Sequence, residues 1–305
     1  STGGTDVLGA LICKYSKISM GNAMIDAGAN CLKGGTFIWN GCNRISISYL
    51  KMNPQGLSGG WSMVTGSIYS LSLGIGGALT VMYFLMGWVR DSIDVRSTFS
   101  FDGIFKLFIR LVMTTSLIAN SMALVTGITE CATAVVSTVG MELPEEQDSD
   151  VFDSFKSQLA EDKASGGTVL SSGLVGMVAG FFGAAIIIVC GVQILLTVFS
   201  RLFKMYLCIP FAPAAFAGFA GGSSFNQTGI AWLRTFIGYA LEAVVIALAI
   251  AISYGLTKDA AAFNTTGEAS VIGIMLTVCG YCVPMLACSS SAKLADNTVR
   301  RCLGL

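Results

Sequence analysis

Apolar residues run almost unbroken through residues 63–88, 111–139, 169–199 and 229–256, and again from about 271 to 288, with the polar positions gathered between these stretches. A helix needs roughly 20 residues to cross about 30 Å of hydrocarbon, and each of the first four stretches exceeds that. Hydrocarbon offers the backbone no hydrogen-bond partner, so a spanning segment is a helix or part of a closed barrel, and long apolar runs select the helix. The expected fold is therefore all-α, a polytopic helical membrane protein of about five transmembrane helices.

The intervening segments read differently. Residues 1–60 place Leu8, Leu11, Ile12 and Tyr15 at helical spacing among glycines and bases, which predicts an amphipathic, extracytoplasmic segment rather than a span. The first span closes on Trp88 and Arg90, an interfacial aromatic followed by charge. Residues 97–110 are aromatic and basic, which suits a connector lying at the headgroups. The stretch 205–222 is apolar but carries Pro210 and Pro213, and it reads as a helix break in a re-entrant or interfacial arm. The expected organisation is thus an N-terminal segment 1–60, a transmembrane bundle 61–290 with an external loop at 141–165, and a basic tail 291–305.

Composition agrees with one membrane bundle: of 305 residues, 53% are hydrophobic and only 12% charged, with a mean hydropathy of +0.72. The charges are segregated by sign. Between Met141 and Lys163 there are eight acids and two bases. Cytoplasmic loops hold the excess of Lys and Arg, and this rule selects five spans with the N-terminus outside and the C-terminus inside. The cytoplasmic side then receives Arg90, Arg96, Lys106, Arg110, Arg201, Lys204, Arg234, Lys293, Arg300 and Arg301. Arg201 and Lys204 mark the end of the third span in this reading.

Histidine is absent, which removes the commonest general base and the commonest nitrogen metal ligand. No phosphate-binding loop, dinucleotide fingerprint or nucleophile elbow is present, so no catalytic, metal or cofactor site is expected. Cys131, Cys190, Cys208, Cys279, Cys282 and Cys288 lie in or beside apolar stretches and read as packing residues. Cys13, Cys31 and Cys42 sit in the more polar first segment, where a disulfide is open if it faces an oxidising compartment.

The polar residues inside the spans are the candidates for function. Glu242 lies mid-span, where an acid costs roughly 2.5–3.5 kcal/mol on insertion scales, so it must face a partner or water. It reads either as a lumen-lining or proton-coupled carboxylate or as a hydrogen-bonded acid between helices. Glu130 reads as interfacial, and Asn120 and Gln193 as amides bonding across helices. Gly173, Gly176, Gly180 and Gly183 put small residues on neighbouring helix faces, for close packing within the chain or for oligomerisation between subunits. Gly74, Gly76 and Gly77 carry the same two readings.

Four stretches in order carry a family likeness: Tyr83-Phe-Leu-Met-Gly-Trp88, Phe105-Lys-Leu-Phe-Ile-Arg110 leading to Leu117-Ile-Ala-Asn-Ser121, Tyr206-Leu-Cys-Ile-Pro-Phe-Ala-Pro213, and Trp232-Leu-Arg-Thr-Phe-Ile-Gly238. From about residue 60 onward the chain resembles the TrbL family of conjugal-transfer proteins, the polytopic inner-membrane subunits of type IV secretion systems, and especially its short Gram-positive members. The resemblance implies a bacterial cytoplasmic-membrane location and a homo-oligomeric ring. It also implies partnership with other type IV secretion subunits, among them the secretion ATPases and the coupling protein, with DNA or protein passing transiently. The competing expectation is a small-solute or ion transporter with a site near the broken segment and Glu242.

Overall fold

The computed structural model describes residues 3–93, 101–139, 169–222, 225–260, 271–302 and 304. Arg96 and the acidic loop 141–165 lie outside the described residues. Among those described, the chain is helical with no strand, and four stretches are long and apolar enough to cross a membrane: Ser58–Arg90, Ser121–Thr138, Gly173–Gly221 and Asn226–Thr257. The protein is an all-α polytopic membrane protein. Its helices are α1 (Gly3–Lys51), α2 (Ser58–Met63), α3 (Tyr69–Ile93), α4 (Phe101–Ala119), α5 (Ser121–Thr138), α6 (Val169–Cys208), α7 (Ala212–Ala217), α8 (Asn226–Ala260) and α9 (Val271–Cys302). The fifth expected span forms the first half of α9.

Several boundaries depart from the sequence reading, each for a local reason. The glycines of residues 1–60 do not break α1, a single helix of 49 residues. The second span is not one helix: Asn120 leaves helical geometry at φ −100°, ψ 13° and starts α5. Its amide donates back to the Ser116 carbonyl at 2.9 Å, on an exposed face, and reaches no other helix among the described residues. The aromatic connector is continuous with the start of that span, since α4 runs from Phe101 through Ala119. Finally, α6 passes straight through Arg201 and Lys204 to Cys208, so these bases do not close the third span.

The chain divides into two compact units. The first comprises Ser1–Ile47, Met141–Leu196 and Leu248–Lys293. Here α1 and α6 run in the same direction with glycine against glycine. A Cβ on Gly173 would lie 2.7 Å from the Gly21 carbonyl oxygen, and one on Gly180 only 2.3 Å from that of Gly28. Gly28 in turn faces Gly176, Gly35 faces Ala184, and Gly183 meets Val278, Leu32 and Cys282. These four small residues of α6 therefore make close contacts within the chain. Polar bridges add to this packing: Ser289 donates to Gln193 across helices, and Tyr254 bonds both Asn40 and Asn43.

The second unit comprises Ser48–Gly140, Thr197–Ala247 and Leu294–Leu305. Its core gathers Ile118, Val125, Met205, Ile209, Phe216, Trp232 and Phe236. Pro210 lacks the N–H that an α-helix requires, so α6 gives way to a 3-10 turn at Ile209–Phe211, then α7, then a second 3-10 turn at Gly218–Gly221. The carbonyls freed at this break find partners, as the Trp232 indole donates to Cys208 at 3.1 Å and the Ser72 hydroxyl donates to Pro210. The chain then turns at Gly222, whose φ of +87° suits glycine and whose backbone lies against the Arg110 guanidinium. A π turn at Val64–Ile68, with Gly66 at ψ −118°, joins α2 to α3.

Gly77, exposed on α3, has nothing within 4 Å of an added Cβ, whereas Gly180 meets backbone. Gly180→Ala is expected to destabilise the protein by about 1–3 kcal/mol through overpacking, while Gly77→Ala leaves it unchanged or better by up to about 1 kcal/mol through helix propensity. Thermal unfolding in mild detergent measures both, and equal shifts would remove the backbone contact from the account.

Candidate functional site

Three helices of the second unit each bring two polar side chains one helical turn apart to a common place. Arg201 and Lys204 come from α6, Tyr239 and Glu242 from α8, and Asp296 and Arg300 from the end of α9. Lys204 Nζ lies 3.3 Å from Asp296 Oδ2 and 3.8 Å from Glu242 Oε1. Arg300 Nε donates to Asp296 Oδ1 at 2.8 Å, and its Nη2 donates to the Tyr239 hydroxyl at 3.2 Å. Lys204 and Arg300 both stand over the Tyr239 ring, each 5.6 Å from its centroid.

Burial separates the members. Glu242 is 2% exposed and Arg201 3%, whereas Lys204, Asp296 and Arg300 are about one-third exposed. Arg201 is therefore no loop cation. Its Nε donates to the Tyr239 carbonyl at 2.8 Å, and Nη2 lies 3.5 Å from the Ala240 carbonyl. These oxygens belong to helix α8 and use their second lone pairs for the guanidinium. The mid-span acid has an ammonium partner at one oxygen, but Glu242 Oε2 is buried without a hydrogen-bond partner among the described residues. A group so placed is where a proton, a cation or a water would be taken up.

Three cations and two acids meet here, and the ends of the network behave differently from its centre. Burial pushes the Asp296 carboxyl up, but the Arg300 hydrogen bond and the Lys204 charge outweigh it, leaving the group below the usual carboxylate value. Arg300 is raised, chiefly by its hydrogen bond to Asp296. The arrangement can hold the last turns of α9 against α6 and α8, and it can keep a carboxylate charged in an apolar body.

The remaining sequence candidates are not part of this place. Glu130 is exposed on α5. Arg90, Lys106, Arg234, Lys293 and Arg301 are exposed, and Arg110 is half-buried against Gly222. Of the cysteines read as packing residues, Cys190, Cys282 and Cys288 are buried and Cys208 half-buried, but Cys131 and Cys279 are exposed. Cys31 is exposed and Cys42 buried, both free thiols on α1. Sequence reasoning found Glu242 and missed its partners. The visible signal was spacing: Arg201 and Lys204, Tyr239 and Glu242, and Asp296 and Arg300 each sit one turn apart.

Comparison of the chain with protein-family models, with characterised proteins and with solved structures finds no match.

Two outcomes are expected of the cluster. Glu242→Gln keeps the volume and leaves Lys204 its Asp296 partner, and is expected to cost about 1 kcal/mol in detergent unfolding. Glu242→Lys sets a second ammonium beside Lys204 and is expected to cost about 3–5 kcal/mol; equal tolerance of both would place the side chain in water or among headgroups. For Asp296, whose pKa is lowered on folding, the stabilisation is complete above the ordinary carboxylate value and is lost as pH falls through the depressed one. Hydrogen exchange at the end of α9, corrected for intrinsic rates, is expected to speed up in acid and to be equally fast at neutral pH in Asp296→Asn. An unchanged rate in that variant would show the ion pairs to be incidental.

Proposed function

We propose that the chain is an integral membrane subunit of a conjugative type IV secretion complex, acting as a channel or scaffold rather than as an enzyme. The observation that carries this reading is where the four family-like stretches lie. All of them fall in the second unit, and residues of all four pack on its one core: Tyr83, Ile118 with Leu117, Tyr206 with Ile209 and Ala212, and Trp232 with Phe236. The four stretches thus meet in one folded body. A multi-pass body of apolar helices supports a membrane role, and in this reading the membrane is the bacterial cytoplasmic one, with the N-terminus outside and the C-terminus inside. Copies of the chain would form the ring, with the secretion ATPases and the coupling protein as partners and DNA or protein as the transient passenger.

A second reading, a small-solute or ion transporter, draws on the buried Glu242 oxygen that has no hydrogen-bond partner among the described residues and on the proline-broken segment of the same unit. One experiment separates the two. Purified in mild detergent or nanodiscs with its co-expressed neighbours, the protein is expected to have the mass of a symmetric homo-oligomer and to retain a secretion ATPase or coupling protein. A lone monomer that carries solute into liposomes, and stops doing so as Glu242→Gln, would replace the secretion reading with the transporter.

A further inference from the structure

Polar side chains in the first unit tie helix to helix, and two of those on α1 keep bonding capacity unused. The Tyr254 hydroxyl of α8 donates to Asn40 Oδ1 at 3.1 Å, and Asn43 Nδ2 donates to the Tyr254 oxygen at 3.4 Å. One helical turn further along α1 comes Ser46. Asn43 and Ser46 are both 0% exposed, buried on α1 together with Trp39, Cys42 and Ile47. Asn43 Oδ1 and Ser46 Oγ nevertheless have no hydrogen-bond partner among the described residues.

The helix itself does not account for this. Other buried hydroxyls of the chain bond back to carbonyls three or four residues earlier, as Thr36 does to Lys33 and Thr257 to Ser253. Ser46 has the carbonyls of Cys42 and Asn43 in the same positions and bonds neither, so its hydroxyl is turned off its own backbone. Turning the Asn43 amide over would exchange an unpaired oxygen for an unpaired nitrogen, so one end of that side chain stays open in either orientation.

We infer that a water molecule is held inside the first unit between Asn43 and Ser46, extending the hydrogen-bonded chain that links Asn40, Tyr254 and Asn43. Residues three apart on a helix have Cβ atoms about 5–6 Å from one another, a gap that two hydrogen bonds of about 2.8 Å to a single oxygen can cover. The chemistry of the pair selects the ligand. Asn43 Oδ1 needs a donor, whereas Ser46 offers a donor and accepts as well, and water meets both needs. A metal ion meets only acceptors, would leave the Ser46 proton unused, and would give up its hydration shell for two uncharged ligands in an apolar interior. Cavities lined only by hydrocarbon stay dry, but buried polar groups left over from the protein's own bonding are where internal water is kept. Since neither side chain reaches the surface, this water is sealed from bulk and belongs to the attachment of α1 to its neighbours. The inference depends on neither reading of function.

The full chain in liposomes provides the test. In solid-state NMR, polarisation passes from water protons to the nuclei they lie against. The Asn43 side-chain amide and the Ser46 β-carbon, identified by their absence from Asn43→Leu and Ser46→Ala, are expected to receive it several-fold faster than Leu32 and Ile47, which are buried on the same helix and carry no polar end. In Ser46→Ala the transfer to Asn43 is expected to fall severalfold. No transfer at either position in the parent would overturn the inference. Transfer to Asn43 that persists unchanged in Ser46→Ala would do so as well, because it would then arrive through Tyr254. Thermal unfolding at fixed ionic strength in lithium, sodium, potassium and choline chlorides is expected to give one midpoint. A midpoint raised by one metal ion in the parent but not in Asn43→Leu would put that ion in the place of water and overturn the assignment. Ser46→Ala removes a single oxygen atom, and circular dichroism checks that it keeps the helical content of the parent.

Discussion

Hydrocarbon cannot hydrogen-bond, and nearly every feature of this chain answers to that constraint. The helices satisfy their own backbones, and the hydroxyls within them bond back to carbonyls three or four residues earlier, as Thr80 does to Gly76 and Thr257 to Ser253. Where the helix must break, at Pro210, the carbonyls it frees are taken up by an indole and a hydroxyl. Where a charge must be buried, the Arg201 guanidinium is absorbed by carbonyls of the neighbouring helix. Glu242 is the exception. Its second oxygen is left without a partner among the described residues, which makes it the place where the general rule yields to something more particular.

A second consequence concerns how helices attract one another in lipid. Tails are as apolar as side chains, so burial of apolar surface supplies little drive, and close packing of small residues takes its place. The first unit uses backbone contact between glycines, the second an aromatic core of Phe216, Trp232 and Phe236. In the second unit an ionic cluster adds to that core, drawing the end of α9 against α6 and α8.

Much of the fold was legible as runs of apolar residues, because hydropathy is a property of single residues summed over a window. The four long stretches, the break at the prolines and the burial of Glu242 were all readable in that way. What was not legible depends on pairing. Nothing in α1 alone says that Gly21, Gly28 and Gly35 match glycines and an alanine some 150 positions later. Arg201 looked like a loop cation because charge near the end of an apolar run usually is one; its burial follows from carbonyls on α8 that no local pattern reveals. Asn120 sits within an apolar run as a cross-helix amide would, yet a short carboxamide reaches its own backbone first.

The length of α1 has a consequence of its own. Forty-nine residues without a break make a rod of about 74 Å, more than twice the depth of the hydrocarbon. Set along the bilayer normal, such a helix would outrun the hydrocarbon and continue beyond it unbroken, with no loop between to absorb strain. Such a rod acts as a lever: a small change of tilt among the lipids becomes a sweep at its tip, and a load applied at the tip is felt inside the membrane.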